Sequence, residues 1–130
     1  MIVVDASAIL EVLLRTPAAG VIEDRILADG ETLHAPHLLD LEVAQVLRRY
    51  VIVGTMSPYR GTDALDDLRD FRMTRYSHTI FLPRIWELRS NMTAYDAAYV
   101  ALAESLGATL LTRDRRLSKS PGHDAAIEVI

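Results

Sequence analysis

A short run of β-branched residues near the N-terminus, Ile2, Val3 and Val4, constrains the fold more than any other part of the chain. A run without a polar residue predicts a strand buried on both faces, which is typical of parallel sheets covered by helices. Asp5 follows this run directly. In open α/β sheets the ligand crevice lies beyond the carboxyl ends of the strands. The first strand is therefore predicted to present a carboxylate to that crevice.

Strand patterns alternate with helix patterns along the rest of the chain. Further strands are predicted over residues 32–35, 72–79 and 109–112, and an edge strand over residues 125–130. Pro36 is expected to end the second strand, because proline cannot donate a ladder hydrogen bond. This alternation predicts one α/β domain over residues 1–130. Its expected architecture has three layers, with a mainly parallel central sheet flanked by helices.

Helix boundaries follow from capping residues and apolar periodicity. Ser7 is expected to cap a helix over residues 8–14, and Pro17 to begin one that Gly30 ends. The remaining predicted helices cover residues 38–50, 58–71, 82–89 and 93–106.

Two helical carboxylates lie on faces that periodicity predicts to be buried. Glu42 lies within the apolar stripe that Leu39 and Val46 define, three residues after the first and four before the second. Asp96 precedes Val100 by four residues and lies on the stripe of its own helix. A carboxylate in such a position is costly unless it is paired or binds a metal ion.

Four carboxylates are therefore candidates for one site: Asp5, Glu42, Asp96 and Asp114, the last of which follows the apolar strand over residues 109–112. Strand ends and the starts of the following helices gather at the carboxyl edge of a parallel sheet. Four like charges repel unless a cation neutralises them. Mg²⁺, with Mn²⁺ as a possible substitute, fits a site made only of carboxylates. Such a site suits hydrolysis of phosphodiesters by metal-activated water.

Each carboxylate also has a purely structural interpretation. Asp5 and Asp114 would then only end strands, Asp96 would cap its helix, and Glu42 would extend to solvent. The position of two of them on apolar stripes favours the joint functional interpretation. Two hydroxyl side chains beside the strand ends are candidates to orient a carboxylate or a water molecule, namely Ser7 and Thr112.

Composition narrows the class of protein. The chain has no cysteine, which excludes disulfides and thiolate metal sites and favours a reducing, cytoplasmic location. No apolar run approaches the roughly 20 residues that span a bilayer, so no membrane association is expected. The formal net charge of −4 argues against a protein that coats nucleic acid. It is compatible with an enzyme that acts on nucleic acid through a metal ion, because such a site is itself acidic.

The segments VVDASAIL, PHLLDLEVAQVLRR, TAYDAAYVALAE and LLTRDRRL, in that order, resemble the PIN-domain family, and within it the VapC toxins of bacterial toxin–antitoxin pairs. The resemblance extends from Met1 to about Leu117. It implies a Mg²⁺-dependent endoribonuclease that a cognate VapB antitoxin restrains, and a second copy of the chain is an expected partner. The acidic residues of the family correspond to Asp5, Glu42, Asp96 and Asp114, and its hydroxyl residues to Ser7 and Thr112.

Several residues outside this set have competing interpretations. Arg113, Arg115 and Arg116 surround Asp114, either as contacts to RNA phosphates or as a solvated loop whose cations balance the acids. Trp86 and Leu88 are expected in the core. Tyr95 and Tyr99, one turn apart, are interpreted as packing or dimer contacts and not as base-stacking groups.

Two other functions compete with a ribonuclease. The first is a catalytically silent binding protein on the PIN scaffold that acts through its partner complex; the complete acidic set argues against it. The second is another Mg²⁺-dependent phosphotransfer protein. A receiver needs paired acids after the first strand, and a haloacid-type phosphatase needs an Asp two residues after its nucleophile. Ala6 and Ser7 supply neither.

Overall fold

The five strands of the chain form one sheet in which every neighbouring pair is parallel. The computed structural model describes residues 1–130. The sheet order is β3-β2-β1-β4-β5, which confirms the predicted parallel α/β fold. The strands are β1 (Ile2–Val4), β2 (Leu33–Pro36), β3 (Thr74–Tyr76), β4 (Thr109–Thr112) and β5 (Ile127–Val129).

Strand β1 is the centre of the sheet, and all three of its residues are fully buried. Its register with β4 pairs Val4 with Leu111. The backbone N–H of Asp5 continues this pairing, because it donates to the carbonyl oxygen of Leu111 at 3.2 Å. The residues that follow β1 and β4 are therefore neighbours at the carboxyl edge of the sheet.

The helices form two groups. Helices α1 to α4 pack against one another, whereas α5 packs against α6, and α6 packs on β1, β2 and β4. This gives the predicted three layers. The helices are α1 (Ala6–Leu13), α2 (Ala19–Ile26), α3 (Leu38–Ile52), α4 (Pro58–Asp70), α5 (Leu82–Glu87, preceded by a 3₁₀ turn at Thr79–Phe81), α6 (Ala94–Leu106) and α7 (Arg115–Ser118).

Helix α6 is the most deeply buried helix, with seven consecutive buried residues from Ala97 to Ala103. Four of these seven are alanines, and such small side chains allow close approach to the sheet. Thr93 caps the helix by accepting a hydrogen bond from the N–H of Asp96 at 3.1 Å. Gly107 ends it in the left-handed conformation, with a φ of 60°. Both ends agree with the sequence prediction.

Helix α1 begins two residues earlier than predicted. Asp5, not Ser7, is its N-cap, because the Asp5 carboxylate accepts a hydrogen bond from the N–H of Ala8 at 3.1 Å. Helix α2 begins at Ala19, two residues after Pro17. Pro36 is the last residue of β2, one position beyond the predicted end of that strand.

The predicted burial of Trp86 was wrong, while that of Leu88 is confirmed. Ile85 and Leu88 lie three residues apart and form the inward face of α5. Trp86 follows Ile85 directly and points away from that face, so it is 68% exposed. The guanidinium of Arg89 covers its ring at 4.9 Å from the centroid.

No helix of the chain combines the length and apolar character needed to cross a bilayer.

Candidate active site

The carboxyl edge of the sheet carries all four carboxylates predicted from the sequence. Asp5 follows β1, Asp114 lies two residues beyond β4, Glu42 is on α3 after β2, and Asp96 is in the first turn of α6. Their charges act on one another. The charge of Asp96 raises the pKa of both Asp5 and Glu42, and the charge of Asp114 raises that of Asp96. The four side chains therefore form one electrostatically coupled group.

Asp5 is the most completely hydrogen-bonded member. Its Oδ1 accepts from Ser7 Oγ at 2.6 Å and from the N–H of Ala8 at 3.1 Å, and its Oδ2 accepts from Thr112 Oγ1. Burial raises the pKa of Asp5 above its usual value, and the charge of Asp96 adds to this effect. The three hydrogen bonds oppose the shift but do not cancel it.

The hydroxyls of Thr112 and Ser7 connect the two strand ends. Thr112 is fully buried, and its Oγ1 donates to Asp5 while accepting from the N–H of Asp114 at 3.0 Å. Ser7 Oγ lies 3.3 Å from Thr112 Oγ1 and accepts from the N–H of Arg113 at 2.9 Å. These contacts hold the segment after β4 against the start of α1.

Glu42 is half-buried and is held by a residue that the sequence did not place in the site. Tyr99 OH donates to Glu42 Oε1 at 2.6 Å. Burial raises the pKa of Glu42, and the charges of Asp5 and Asp96 raise it further against the effect of Tyr99. Tyr99 is buried as expected, but its polar end contacts the site. The available signal was its spacing, because Tyr99 follows Asp96 by three residues and shares its helix face.

Asp96 and Asp114 have opposite pKa shifts. Burial raises the pKa of Asp96, and the charge of Asp114 adds to this effect, while Thr93 and Arg116 oppose it. Burial alone would also raise the pKa of Asp114. The N–H of Arg116, which donates at 2.9 Å, and its guanidinium outweigh burial and lower that pKa below its usual value. Asp114 also caps α7 through this backbone contact, a role that its structural interpretation as the end of a strand did not include.

The four carboxylates supply the type of ligand atom that a hard divalent cation prefers. The set contains only carboxylate oxygens, and three of its four members have raised pKa values because burial and like charges disfavour their ionised forms. In their present positions, no three of the acidic or histidine side chains form a group that could hold a metal ion. Oxygens of Asp5, Glu42 and Asp114 are instead engaged in hydrogen bonds within the chain. The choice of metal ligands therefore stays a prediction.

The three arginines beside the site differ in their contacts. Arg113 pairs with Glu11 at 3.7 Å, and Arg116 pairs with Asp114 at 3.4 Å. These two act as counter-charges to acids, as one interpretation of the loop predicted. Arg115 is exposed and forms no ion pair, which leaves its cation available for a phosphate. Contact of any of the three with RNA stays a prediction.

A groove of about 750 Å³ opens beside Glu42, the one of the four carboxylates that lines it. Its wall includes Tyr95, which is 65% exposed. Of the two roles expected for Tyr95, packing within the chain is wrong, and a dimer contact stays a prediction. Seven of its thirteen lining residues are hydrophobic, and the polar ones include members of the site. The residues are Ala6, Ser7, Leu10, Glu11, Leu38, Leu41, Glu42, Gln45, Val46, Arg49, Tyr50, Tyr95 and Arg113.

Comparison with known proteins identifies the family of the chain. The PIN domain family matches residues 2–122. The chain is 42% identical to Ribonuclease VapC12 of Mycobacterium tuberculosis, with coverage of 100% of this chain and 99% of the relative. It is 45% identical to Ribonuclease VapC9 of the same species, with coverage of 100% and 98%.

A solved structure shows the same fold. The chain superposes on a protein in the crystal structure of VapBC2 from Rickettsia felis bound to a DNA fragment from its promoter, with a TM-score of 0.75. The two are 15% identical, and the match covers 100% of this chain and 99% of that one. The family match over nearly the whole length, together with identities above 40% to full-length relatives, shows that the chain belongs to the PIN-domain family, among its VapC-type members.

Proposed function

We propose that the chain is a metal-dependent endoribonuclease and the toxin of a VapBC-type toxin–antitoxin pair. The observation that carries this proposal is the placement of four carboxylates at the carboxyl edge of the sheet, two after strands and two near the starts of helices. The relatives at 42% and 45% identity are named ribonucleases, which supports RNA as the substrate class. A substrate of cellular RNA implies a cytoplasmic location.

The proposed roles combine the placement of the four carboxylates with the contacts of the hydroxyl residues. Asp5 and Asp96 are the proposed main ligands of Mg²⁺ or Mn²⁺, and Glu42 and Asp114 complete the site and orient the attacking water. When bound, the cation would lower the pKa of a water molecule and offset the charge of the phosphate. Ser7 and Thr112 hold Asp5 in place through their hydroxyls. Arg115 is the proposed contact to an RNA phosphate, with Arg113 and Arg116 beside it.

Removal of divalent cations is expected to abolish RNA cleavage. The purified chain would be incubated with total RNA in Mg²⁺, then with excess chelator, then after addition of Mg²⁺ or Mn²⁺, and new RNA ends would be mapped by sequencing. Cleavage should stop in chelator and return with either cation, because the carboxylates alone cannot activate water at neutral pH.

A carboxylate outside the site provides the matched control for this experiment. Asp40 is also on α3 but pairs with Arg75 at 2.8 Å. Asp40→Asn should leave cation-dependent cleavage intact, whereas Asp5→Asn should remove it. Cleavage that persists in chelator would contradict the metal-dependent mechanism. A chain that binds its antitoxin but cleaves no RNA in either cation would instead be the catalytically silent scaffold.

We further propose that a VapB-type antitoxin occupies the groove beside Glu42. The apolar wall, which includes Leu10, Leu38 and Leu41, suits the apolar side of a peptide. The end that contains Glu42 suits a basic side chain, which would compete with a cation for the carboxylates. The Rickettsia felis structure is of a VapBC assembly, which supports a partner of this kind. A homodimer stays a prediction.

Leu41→Asp is expected to weaken antitoxin binding by about tenfold or more, because a charge replaces an apolar anchor in the groove. Leu41 is 75% exposed, so the change should leave the folding of the chain intact. Isothermal titration calorimetry with the antitoxin encoded beside the gene measures the effect. Val21→Asp is the control, since Val21 is also exposed but lies on α2 outside the groove. Equal weakening by both variants would contradict binding in the groove.

A further inference from the structure

The contact between Tyr99 and Glu42 joins two helices that are far apart in sequence. Tyr99 is on α6 and Glu42 is on α3, 57 residues earlier. Tyr99 is only 2% exposed and is the largest fully buried side chain of the protein. Its hydroxyl donates to Glu42 Oε1 at 2.6 Å, a short hydrogen bond to a charged acceptor. It is the one hydrogen bond that the Glu42 side chain receives from the chain.

The two partners differ in how firmly the fold holds them. A glutamate has three rotatable side-chain bonds, and a half-buried one without a partner samples several rotamers. A tyrosine has two, and those of Tyr99 are fixed by the packing of α6 against the sheet. The hydrogen bond therefore restricts the rotamers of a carboxylate at the edge of the site, because its donor is held fixed in the core.

The other carboxylates are held by different means. Asp5 is fixed by hydroxyls and a backbone N–H close to it, and Asp114 by the N–H and guanidinium of Arg116. These partners lie at the carboxyl edge itself. Glu42 has no such neighbour, so the buried tyrosine is its only source of orientation from the chain. Phenylalanine would fill nearly the same space on α6, but it would supply no donor.

We propose that Tyr99 is a positioning residue that holds one oxygen of Glu42 and leaves the other, Oε2, for the carboxylate site. This inference rests on the proposed function, because it assigns Glu42 to a cation site. The role is one of orientation: Tyr99 neither contacts RNA nor acts on the reacting phosphate. A hydroxyl buried on the apolar helix α6 would be unfavourable without partners; Glu42 accepts its proton, and the backbone N–H of Ala6 faces its oxygen.

Tyr99→Phe tests this role because it removes the hydroxyl and leaves the ring in place. The dissociation constant for Mn²⁺ would be measured without RNA by electron paramagnetic resonance, and kcat and KM for RNA cleavage would be measured in saturating Mn²⁺. We expect the Mn²⁺ dissociation constant to rise by about tenfold, as for other residues that orient a ligand. The value of kcat should fall by a similar factor with little change in KM.

Two controls separate orientation from packing. Tyr76→Phe removes another partly buried hydroxyl, which contacts His34 Nδ1 at 2.7 Å and no carboxylate, and it should change neither Mn²⁺ affinity nor kcat. In a Glu42→Gln background, Tyr99→Phe should have no further effect on Mn²⁺ affinity, because the group that it orients is already altered. The Mn²⁺-induced rise in unfolding temperature should be smaller for Tyr99→Phe than for the wild type.

The failures of the two proposals are distinguishable. If the wild-type chain neither binds Mn²⁺ nor cleaves RNA, the proposed function fails. If the wild type does both and Tyr99→Phe matches it, the positioning role fails while the proposed function stands. The positioning role also fails if Tyr99→Phe causes the same loss of Mn²⁺ affinity with and without the Glu42→Gln change, because its effect would then pass through the fold.

Discussion

Asp96→Asn is expected to lower the rate of metal-dependent RNA cleavage by at least about 100-fold, since the loss of a proposed metal ligand costs about 3 kcal/mol of transition-state stabilisation. The substitution keeps the shape of the side chain. It also keeps the N–H that donates to Thr93, so the start of α6 should be unchanged. Single-turnover cleavage of a defined RNA in saturating Mg²⁺ measures the loss.

The same variant is expected to be more stable than the wild type when no divalent cation is present. Burial and the charge of Asp114 raise the pKa of Asp96, so its ionised form opposes folding at neutral pH. An acid of this kind favours the folded state below its unfolded pKa, and that contribution is lost as pH rises through its folded pKa. Asparagine at this position has no charge to desolvate. Its unfolding midpoint in chelator should therefore exceed that of the wild type at pH 7.

The pH dependence of this difference identifies its cause. The advantage of Asp96→Asn should shrink as pH falls towards the usual range of aspartate, about 3.9, where the wild-type side chain is protonated too. Asp114→Asn should behave in the opposite way, because the pKa of Asp114 is lowered and its ionised form supports folding at neutral pH. Addition of Mg²⁺ should stabilise the wild type more than either variant.

Asp96→Asn should therefore lower the rate of RNA cleavage and raise the stability of the fold in the absence of divalent cations. Carboxylates that repel one another are tolerated in a fold when a ligand offsets their charge. An Asp96→Asn variant that lost activity and was also less stable in chelator would indicate a structural role at the start of α6. A variant with full activity would remove Asp96 from the cation site. Urea unfolding in chelator, with and without Mg²⁺, distinguishes these results.

The residues at the carboxyl edge of the sheet could be predicted from the sequence because the patterns that mark strand ends are local. An apolar run followed by an aspartate marks a buried strand and its carboxyl end, so Asp5 and Asp114 could be placed from a few residues each. Glu42 and Asp96 required one more step, namely the helical period that puts them on apolar stripes. The topology of parallel sheets then brings all four to one edge.

The errors arose where tertiary contacts decide between local alternatives. Asp5 and Ser7 are both good N-cap residues, and Asp5 caps α1 because the register of β1 with β4 fixes its backbone. The four-residue helix α7 is too short to show a period. Trp86 and Leu88 are both apolar, and only the packing of α5 against α6 separates them. The contact of Tyr99 with Glu42 joins α3 to α6, and the spacing of Tyr99 from Asp96 indicated its helix face but not its partner.

Thr112→Val is expected to destabilise the fold by about 2–5 kcal/mol, although valine matches threonine in shape and suits a strand. The Thr112 hydroxyl is fully buried, and it donates to Asp5 Oδ2 while accepting from the N–H of Asp114. Valine leaves Asp5 Oδ2 without that bond at a buried position and the N–H of Asp114 without it at a partly buried one. Each orphaned group costs about 1–3 kcal/mol, and more when it is charged. Urea unfolding at neutral pH measures the loss.

Thr109→Val on the same strand is the matched control for Thr112→Val. Thr109 is less buried, and its hydroxyl takes no part in the contacts of Asp5, so its replacement should change stability by less than about 1 kcal/mol. Thr112→Ser should restore most of the stability, because serine keeps the hydroxyl and loses only a methyl group. RNA cleavage by Thr112→Val should fall by roughly tenfold or more, since Asp5 loses a partner that orients it. Equal effects of the two valine variants would show that strand packing, and not the hydroxyl, is responsible.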